Sequence, residues 1–522
     1  MIVTKFLDQL MQWQNDQNKV EAAAKSLDLS LIEAVIDRLT SIKTTMKNVE
    51  AIIINQLTRV TCQYSSVLNT QNTTIKLPVE LLGTIFSHAC DVTPTISRKW
   101  WDESGISSNT VNHTRLSIEL TCAHWRTVLH STPDAWKNVI FASSELLTSD
   151  TPQSDVQMMF AQLQRSKSPK RHIFVDTFNM SDEALARIGL MDRLWHIFTH
   201  ERSFMETLAI RAARPLDLCT SWLFNKPVFP LLRTLRVEWG QNRGPMVLDL
   251  SGATQLQTLI LSHSINLDDH NITLSVLCPD ARNISDLHFH GSISMVDAFR
   301  IIAQNAGTLQ NLHWEACLYL TSDVFPNEKP LSFPKLQKLL LGVDRPDLLF
   351  DNHAFPSLET LIFGSPSTDR LNKDHLPMLR FLKLHYPDRS SLLNYLSENQ
   401  HIEQICFYSF DEATLQGLIP LISRGGSDES SSFSAQGARD PLPNLEFIYT
   451  TKWDAVASIE KLLAACRRRR RPIIIIISTS PVIHTSSEGT EKPLDVLLQE
   501  YPDVLQHGPL PSRFRELVGY EF

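Results

Sequence analysis

The chain has 522 residues and a formal net charge of −8, with 43% hydrophobic and 20% charged residues. Single hydrophobic cores stop growing near ~250–300 residues, so two or more folded units are expected. The acidic balance argues against a nucleic-acid partner, because binding to phosphate backbones needs Lys and Arg clustered on one face.

Eight cysteines are scattered through the chain without a CxxC pair. This distribution is typical of a reducing compartment rather than of a disulfide scaffold. The N-terminal residues lack the continuous apolar stretch of a signal peptide. The apolar run at 473–477 is far shorter than the ~20 residues that cross a bilayer. The sequence therefore predicts an intracellular protein, in the cytoplasm, the nucleus or both, with no membrane contact.

The N-terminal region, 1–72, is predicted to be helical, because no Pro or Gly interrupts it. From residue 32 onward its apolar residues are spaced by threes and fours, which places them on one helical face. This stripe consists of Ile32, Val35, Leu39, Ile42, Met46, Val49, Ile53, Leu57, Val60, Tyr64 and Val67. Two interpretations stay open. The helix forms a coiled-coil dimer, or it folds back on the next domain or on a shorter helix at 3–27.

Residues 73–145 contain two predicted helical segments, which are separated by an inserted loop at 91–117. The first segment begins at Leu77-Pro78, and proline suits a first helical turn because its missing N–H has no intrahelical partner there. Its apolar residues share one face by their spacing. They are Leu77, Leu81, Leu82, Ile85 and Phe86. The second segment runs over 118–129 and is followed by Pro133 and Trp136.

These two segments together resemble the F-box, in the form common in mushroom-type (basidiomycete) fungi. The resemblance is carried by Leu77-Pro78-x-Glu80-Leu81-Leu82-x-x-Ile85-Phe86, by Cys122-x-His124-Trp125-Arg126-x-x-Leu129 and by Pro133-x-x-Trp136. It covers about residues 76–140. It implies a small three-helix domain whose first part binds the Skp-family adaptor of a cullin-RING ubiquitin ligase.

The resemblance also implies which residues contact the adaptor or hold the helices together. Adaptor contacts are implied for Leu77, Pro78, Leu81, Leu82, Ile85 and Phe86. Leu120, Cys122, Trp125 and Trp136 would hold the helices together or complete the docking surface. The alternative interpretation of the segment is a helical hairpin that only caps the following domain.

An L-x-x-L-x-L motif occurs ten times after residue 165. Its instances begin at Met205, Leu232, Leu256, Ile284, Leu309, Leu336, Leu358, Leu379, Ile402 and Leu445. Their starts are 21 to 28 residues apart except for a last interval of 43, and leucine-rich repeats are ~20–29 residues long. The sequence predicts a leucine-rich-repeat α/β solenoid over 165–522, with a flexible Gly/Ser-rich loop at 424–440. The predicted fold class is therefore a multi-unit α+β protein: N-terminal helices, a three-helix domain and a solenoid.

Alternate residues of each predicted strand face one side of the sheet, and we expect this concave face to bind a protein target. The candidate target-binding residues are Arg236, Glu238, Asp286, His288, His290, His313, Glu315, Lys338, Lys383, His385 and Tyr408. Three of the histidines and Glu315 would be neighbours, which is a ligand set that zinc accepts. Strand pairing alone does not aim lone pairs at one point, so a polar, pH-sensitive recognition patch without a metal ion is expected.

The sequence contains no Gly-rich phosphate loop, no HExxH, no GxSxG and no kinase signature, and no cofactor is expected. The predicted function is therefore that of a non-catalytic substrate receptor in an SCF-type ubiquitin ligase. In this prediction the F-box binds the Skp-family adaptor and the solenoid binds an unidentified protein. One alternative is a leucine-rich-repeat scaffold, independent of any ligase, whose F-box-like segment is structural. Another is a hydrolase or metal-dependent enzyme hidden in the array.

Overall fold

The computed structural model divides the chain into two compact units. One comprises Met1–Ala89 and His113–Thr132, and the other comprises Cys90–Asn112 and Pro133–Phe522. Within the described segments, no helix combines the length and the apolar character that crossing a membrane requires. The structure describes residues 29–71, 77–91, 108–142, 160–166, 168, 170–177, 202–212, 229–239, 246–263, 274–291, 293, 295–315, 330–342, 353–363, 376–384, 395–396, 399, 401–410, 412–423, 442–453, 459–469, 471–477 and 494–507.

The first unit is helical. Its helices are α1 (Leu29–Gln71), α2 (Val79–Cys90, whose last residue is assigned to the second unit), α3 (Ser108–Thr121, whose first turn is also assigned there) and α4 (Ala123–Ser131). The absence of Pro and Gly lets α1 run for 43 residues. Each side chain described on α1 is exposed or half-buried.

Helix α2 begins one residue later than the sequence suggested. The carbonyl of Pro78 accepts hydrogen bonds from the N–H groups of Leu81 and Leu82, at 3.0 and 3.1 Å. Pro78 therefore precedes the first helical residue, where its missing N–H removes no helical hydrogen bond. Glu80 lies in the first turn, where the positive end of the helix dipole favours an anion.

The second predicted helical segment was wrong as one continuous stretch, because the chain breaks at Cys122. This residue has extended backbone angles, φ −163° and ψ 165°, and its Sγ accepts a hydrogen bond from the N–H of Trp125. Cys122 thus takes the N-cap position of α4, which usually belongs to Ser, Thr, Asp or Asn. The predicted loop at 91–117 was also too long, because its residues from Ser108 onward form the start of α3.

The second unit contains a parallel sheet of fourteen strands, in the order β1-β2-β3-β4-β6-β8-β9-β10-β11-β12-β13-β14-β15-β16, and a parallel pair β5-β7. The first eight strands are β1 (Asn138–Ala142), β2 (Arg171–Asp176), β3 (Met205–Ala212), β4 (Thr234–Trp239), β5 (Met246–Asp249), β6 (Thr258–His263), β7 (Leu274–Leu277) and β8 (Asp286–His290). The others are β9 (Asn311–Glu315), β10 (Lys338–Leu341), β11 (Thr360–Phe363), β12 (Phe381–Leu384), β13 (Gln404–Phe410), β14 (Phe447–Trp453), β15 (Ile474–Ile477) and β16 (Leu505–His507).

The helices that accompany the sheet include α5 (Met295–Asn305), α6 (Glu412–Ser423), α7 (Ile459–Arg468) and α8 (Leu494–Glu500). Residues 160–165 are helical as well. The fold of this unit is mixed α/β with a large parallel sheet and several helices. That coarse class agrees with the sequence prediction.

Each of the ten L-x-x-L-x-L segments contains one strand of the large sheet. The fourth motif residue of one strand pairs with the same position on the next, as in Leu208↔Leu235 and Leu235↔Leu259. These aligned side chains all enter one continuous apolar core. Burying each such aliphatic side chain stabilises the fold by about 1.5–3 kcal/mol, so a slip in register would be costly.

Two features of the sheet differ from the sequence prediction, and two predicted segments lie outside the described residues. Strand β1 starts at Asn138, within the stretch assigned from sequence to the three-helix domain. Strand β16, which pairs with the isoleucine strand β15, was not predicted from the sequence. The predicted loop at 424–440 lies outside the described residues, as do residues 1–28.

Candidate functional site

Helix α2 presents an apolar face that the first unit leaves uncovered. Leu81 is 53% exposed and Ile85 is 50% exposed. The two residues are one helical turn apart and therefore lie on the same side of the helix. Their sequence neighbours Leu82 and Phe86 are 1% and 2% exposed. The helix thus separates an interior face from an exposed apolar face.

The interior face of α2 packs tightly within its own unit. The ring of Phe86 lies against the ring of Trp125 on α4, with centroids 5.2 Å apart. A Cβ on Gly83 would meet Oγ1 of Thr132 at 3.1 Å, so glycine permits the close approach of the chain at that point. These contacts fix which side of α2 faces outward.

Helix α3 carries a second exposed apolar pair, Leu116 and Leu120, spaced by four residues. Ile118, between them, is buried. Leu120 is a predicted contact residue, whereas Leu116 was missed. Its only signal in the sequence is the spacing of four residues from Leu120, and the predicted loop at 91–117 concealed it.

The structure divides the ten predicted adaptor contacts into three groups. Four are exposed, namely Pro78, Leu81, Ile85 and Leu120. Three are half-buried, namely Leu77, Cys122 and Trp125. Three are buried, namely Leu82, Phe86 and Trp136.

The buried group cannot form a contact surface, and this corrects the predicted adaptor contacts of Leu82 and Phe86. For Trp136 burial excludes only the docking-surface alternative. Leu82 and Phe86 are large apolar side chains that the fold uses as core. Trp136 is assigned to the second unit, where the guanidinium of Arg165 lies 4.9 Å from the centre of its ring. All three side chains therefore belong to the interior of their own units.

On strands β2 to β4, the sheet face predicted to bind a target carries a row of paired charges. Nε of Arg211 lies 3.1 Å from Oε1 of Glu238, and Nη2 of Arg236 lies 3.3 Å from Oε2 of the same carboxylate. Asp176 is 4.0 Å from Arg211 on the other side. Arg236 is only 2% exposed, so its charge serves this network. Asp176 and Arg211 were missed, although Arg211 follows directly after an L-x-x-L-x-L motif.

Three histidines and one glutamate meet on β8 and β9. In the strand register His288 is opposite His313 and His290 is opposite Glu315. Nδ1 of His290 lies 2.8 Å from Oε2 of Glu315, and Nε2 of His313 lies 3.2 Å from Oε1. The rings of His290 and His313 meet edge-on, with centroids 4.1 Å apart. The sequence prediction that these four residues are neighbours is thus consistent with the strand register.

Burial and charge set the protonation of this histidine cluster. Burial lowers the pKa of His288 well below its usual value, and nearby His313, His290 and Arg236 lower it further. Burial by itself raises the pKa of Glu315, but hydrogen bonds with His290 and His313 outweigh it and hold the pKa well below the ordinary range. At neutral pH His288 is therefore a neutral imidazole and Glu315 a carboxylate.

The C-terminal part of the same face is apolar rather than polar. A row of side chains from β10 to β15 is buried together: Leu340, Ile362, Phe381, Cys406, Tyr449 and Ile476. Lys383 lies among these strands and is 4% exposed. Like the buried Arg236, His290 and His313, it cannot form part of a contact surface, and this corrects the target-binding prediction for these four residues. Lys338 and Asp286 are half-buried, while His385 and the side chain of Tyr408 lie outside the described residues. Strands β10 to β15 thus bury a largely apolar row where the sequence predicted a mixed polar one.

Comparison with known proteins adds no relative. No family model matches the chain. No curated protein matches it. No solved structure matches it.

Proposed function

We propose that the chain is a substrate-recognition subunit of an SCF-type ubiquitin ligase. Its segment 73–145 is an F-box that binds a Skp-family adaptor, and its region 165–522 is a leucine-rich-repeat solenoid that binds a protein target. The chain acts by holding the target close to the ligase core, so none of its own residues carries out bond chemistry. The F-box resemblance of residues 76–140 supports the first half of this proposal.

The observation that carries the proposal is the exposure of Leu81 and Ile85 on α2. Burying each fully against a partner would stabilise a complex by about 1.5–3 kcal/mol relative to leaving it in water. An apolar helical face that inserts into a groove is a recurrent mode of protein recognition. Because Leu82 and Phe86 anchor the adjacent face of α2, the helix is held in place before any partner binds.

The solenoid half of the proposal is supported by strand register. Ten motifs supply ten parallel strands whose equivalent leucines align from strand to strand. A stack of this kind exposes the alternate residues of many strands on one face, which suits a large and irregular protein surface. The half-buried Glu238, Asp286 and Lys338 give that face polar groups with which to discriminate between targets.

A co-purification experiment with a fungal Skp-family adaptor tests the proposal. The doubly substituted chain Leu81→Asp, Ile85→Asp replaces the exposed apolar pair by carboxylates. Losing both apolar contacts and desolvating two charges costs more than ~3 kcal/mol, so recovery should fall by about 100-fold or more. The matched control is Val296→Asp on α5, because Val296 is similarly exposed and an acidic residue suits the first turn of a helix.

Equal recovery of the adaptor with the wild-type chain and the double variant would contradict the ligase assignment. No recovery with either chain would contradict it as well. Both results would favour the alternative of a scaffold that binds proteins without a ligase. Circular dichroism of the double variant verifies that the helices remain folded, as expected for substitutions at exposed positions.

A further inference from the structure

The histidine cluster has the geometry of a metal site. His288 and His290 are two residues apart on β8, so strand alternation directs both side chains to one face. His313 and Glu315 have the same spacing on β9 and are in register with them. One candidate ligand nitrogen from each of the three histidines lies within 4.8 Å of the other two. We propose that His288, His290, His313 and Glu315 bind one zinc ion through three imidazole nitrogens and one carboxylate oxygen.

The distances in the cluster are close to those of tetrahedral zinc. Bonds of ~2.0–2.1 Å place the ligand atoms of a tetrahedron about 3.3 Å apart. Glu315 contacts His290 through Oε2 at 2.8 Å and His313 through Oε1 at 3.2 Å, so its carboxylate must turn to offer one oxygen to the ion. The histidine nitrogens lie within 4.8 Å of one another, so the separations among them must close by up to about 1.5 Å. Rotation of the rings about their side-chain torsions is the movement that would close them.

The position of Glu315 depends on a glycine of the next strand. The N–H of Gly342 donates a hydrogen bond to the carbonyl of Trp314, at 2.9 Å. A Cβ on Gly342 would lie 2.7 Å from Cγ of Glu315, which is closer than any side chain allows. Gly342 has an ordinary negative-φ backbone, so space rather than conformation requires glycine here. The fold thus leaves room for the carboxylate beside the histidines.

The donor set also selects the class of ion. Neutral imidazoles and one carboxylate suit zinc and similar transition metals, whereas Ca²⁺ and Mg²⁺ take six or more oxygen ligands. Arg236 is a cation that acts on His288 and opposes binding, and its charge is offset by Glu238 at 3.3 Å. The ion would link β8 to β9. The proposal is independent of adaptor binding.

Zinc content of the full chain tests the site. The chain is purified with a histidine-free tag, loaded with excess Zn²⁺, dialysed against metal-free buffer and measured by mass spectrometry. About one zinc ion per chain is expected. His313→Asn and Glu315→Gln should each lose most of it. The control His172→Asn, which changes a histidine on β2, should retain it.

Cobalt substitution reports coordination directly. The chain loaded with Co²⁺ should show the visible bands of a tetrahedral site, and Glu315→Gln should shift or abolish them. Gly342→Ala should weaken zinc affinity by about 10–100-fold, as is typical when a group that positions a ligand is changed. Gly307→Ala is its control, because nothing lies within 4 Å of a Cβ at that position.

Two results would overturn the zinc site. One is that the loaded wild-type chain retains no zinc after dialysis. The other is that zinc content and the cobalt spectrum are the same in wild type and in Glu315→Gln. If His313→Asn fails to fold, Glu315→Gln and the wild-type cobalt spectrum decide, because the glutamine is nearly isosteric with the residue it replaces.

Discussion

Phe86 and Trp125 join α2 to α4 through two rings inclined at 59° to each other. Phe86 is almost fully buried, so its removal leaves a cavity that its neighbours can fill only partly. We predict that Phe86→Ala lowers the free energy of unfolding of the first unit by about 3–5 kcal/mol. Urea denaturation followed by circular dichroism measures this loss.

Leu81, an exposed residue on the same helix as Phe86, provides the control for that experiment. Leu81→Ala should change the free energy of unfolding by less than about 1 kcal/mol, because half of its side chain is already in water. A larger loss at Leu81 than at Phe86 would show that the two faces of α2 have been assigned the wrong way round.

Substitution by alanine should have different effects on stability at Gly342 and at Gly307. Gly342→Ala forces a contact of 2.7 Å with Cγ of Glu315, whereas Gly307→Ala meets nothing within 4 Å. We expect Gly342→Ala to destabilise the second unit by about 1–3 kcal/mol, as overpacking does. Gly307→Ala should be neutral or stabilise by up to about 1 kcal/mol, because it restricts the unfolded chain. Thermal unfolding compares the two, and equal melting temperatures would refute the steric argument.

The sheet was predictable because its signal repeats. Ten strands carry the same spacing of apolar residues, so one motif such as Leu336 to Leu341 indicates a buried strand and ten of them indicate neighbours. Short strands without the motif were harder to predict. β16 at Leu505 to His507 has a single buried residue and is defined by its pairing with β15. Such a strand depends on tertiary contacts rather than on local sequence.

The candidate sites were only partly predictable, for a related reason. Spacing placed Leu81, Leu82, Ile85 and Phe86 near one another on α2, but their contacts decide which of them are buried. Likewise, sequence placed His288 beside His313, whereas the fit of Glu315 depends on Gly342, which is 27 residues away along the chain. Propensity and periodicity carry no information about such pairwise distances.

His172 makes the stability of the sheet sensitive to acid. Burial is the main cause of its lowered pKa. Lys137 and Lys170 lower the pKa further, Glu206 and Asp91 raise it, and the net shift is downward from 6.5. Nδ1 of His172 lies 2.9 Å from Oγ1 of Thr207. The unfolded chain therefore binds a proton near pH 6.5 that the folded chain binds only at lower pH.

The direction of the pH effect follows from that difference. Stability is retained above pH 6.5 and decreases as the pH falls from 6.5 towards the lower folded pKa, with a slope of at most about 1.4 kcal/mol per pH unit. We predict that His172→Asn flattens this part of the stability curve, measured by urea unfolding between about pH 7 and pH 5. An equally steep curve in the variant would assign the acid sensitivity to other groups.

The buried thiols of Cys406 and Cys466 should be unreactive towards alkylating reagents in the folded chain. Burial raises the pKa of Cys406 and of Cys466 to about 12, so almost no thiolate is present near neutral pH. We expect both residues to escape alkylation by iodoacetamide in native buffer and to react fully in denaturant. Mass spectrometry of the tryptic peptides measures this difference, and rapid native labelling of either thiol would contradict its burial.

Helix α1 carries an apolar stripe that the described part of the chain does not cover. Ile53, Leu57 and Val60 are 53%, 62% and 59% exposed. They share one side of the helix, whereas Ile52 and Ile54 lie roughly 100° away on either flank. Either interpretation that the sequence left open would cover this stripe, one with a second copy of the helix and the other with the next domain or with residues 3–27. Our prediction is the dimer. We predict that the chain sediments with about twice its mass of 59.3 kDa.

Paired substitutions distinguish that specific dimer from nonspecific association of the helix. Ile53→Asp with Leu57→Asp places two charges in the stripe and should give a monomer. Ile52→Asp with Ile54→Asp introduces the same charge on residues of similar exposure but outside the stripe, so it should leave the dimer largely intact. A wild-type chain that is monomeric at every concentration would favour a helix folded back within one chain. Equal effects of both pairs would show that no defined seam exists.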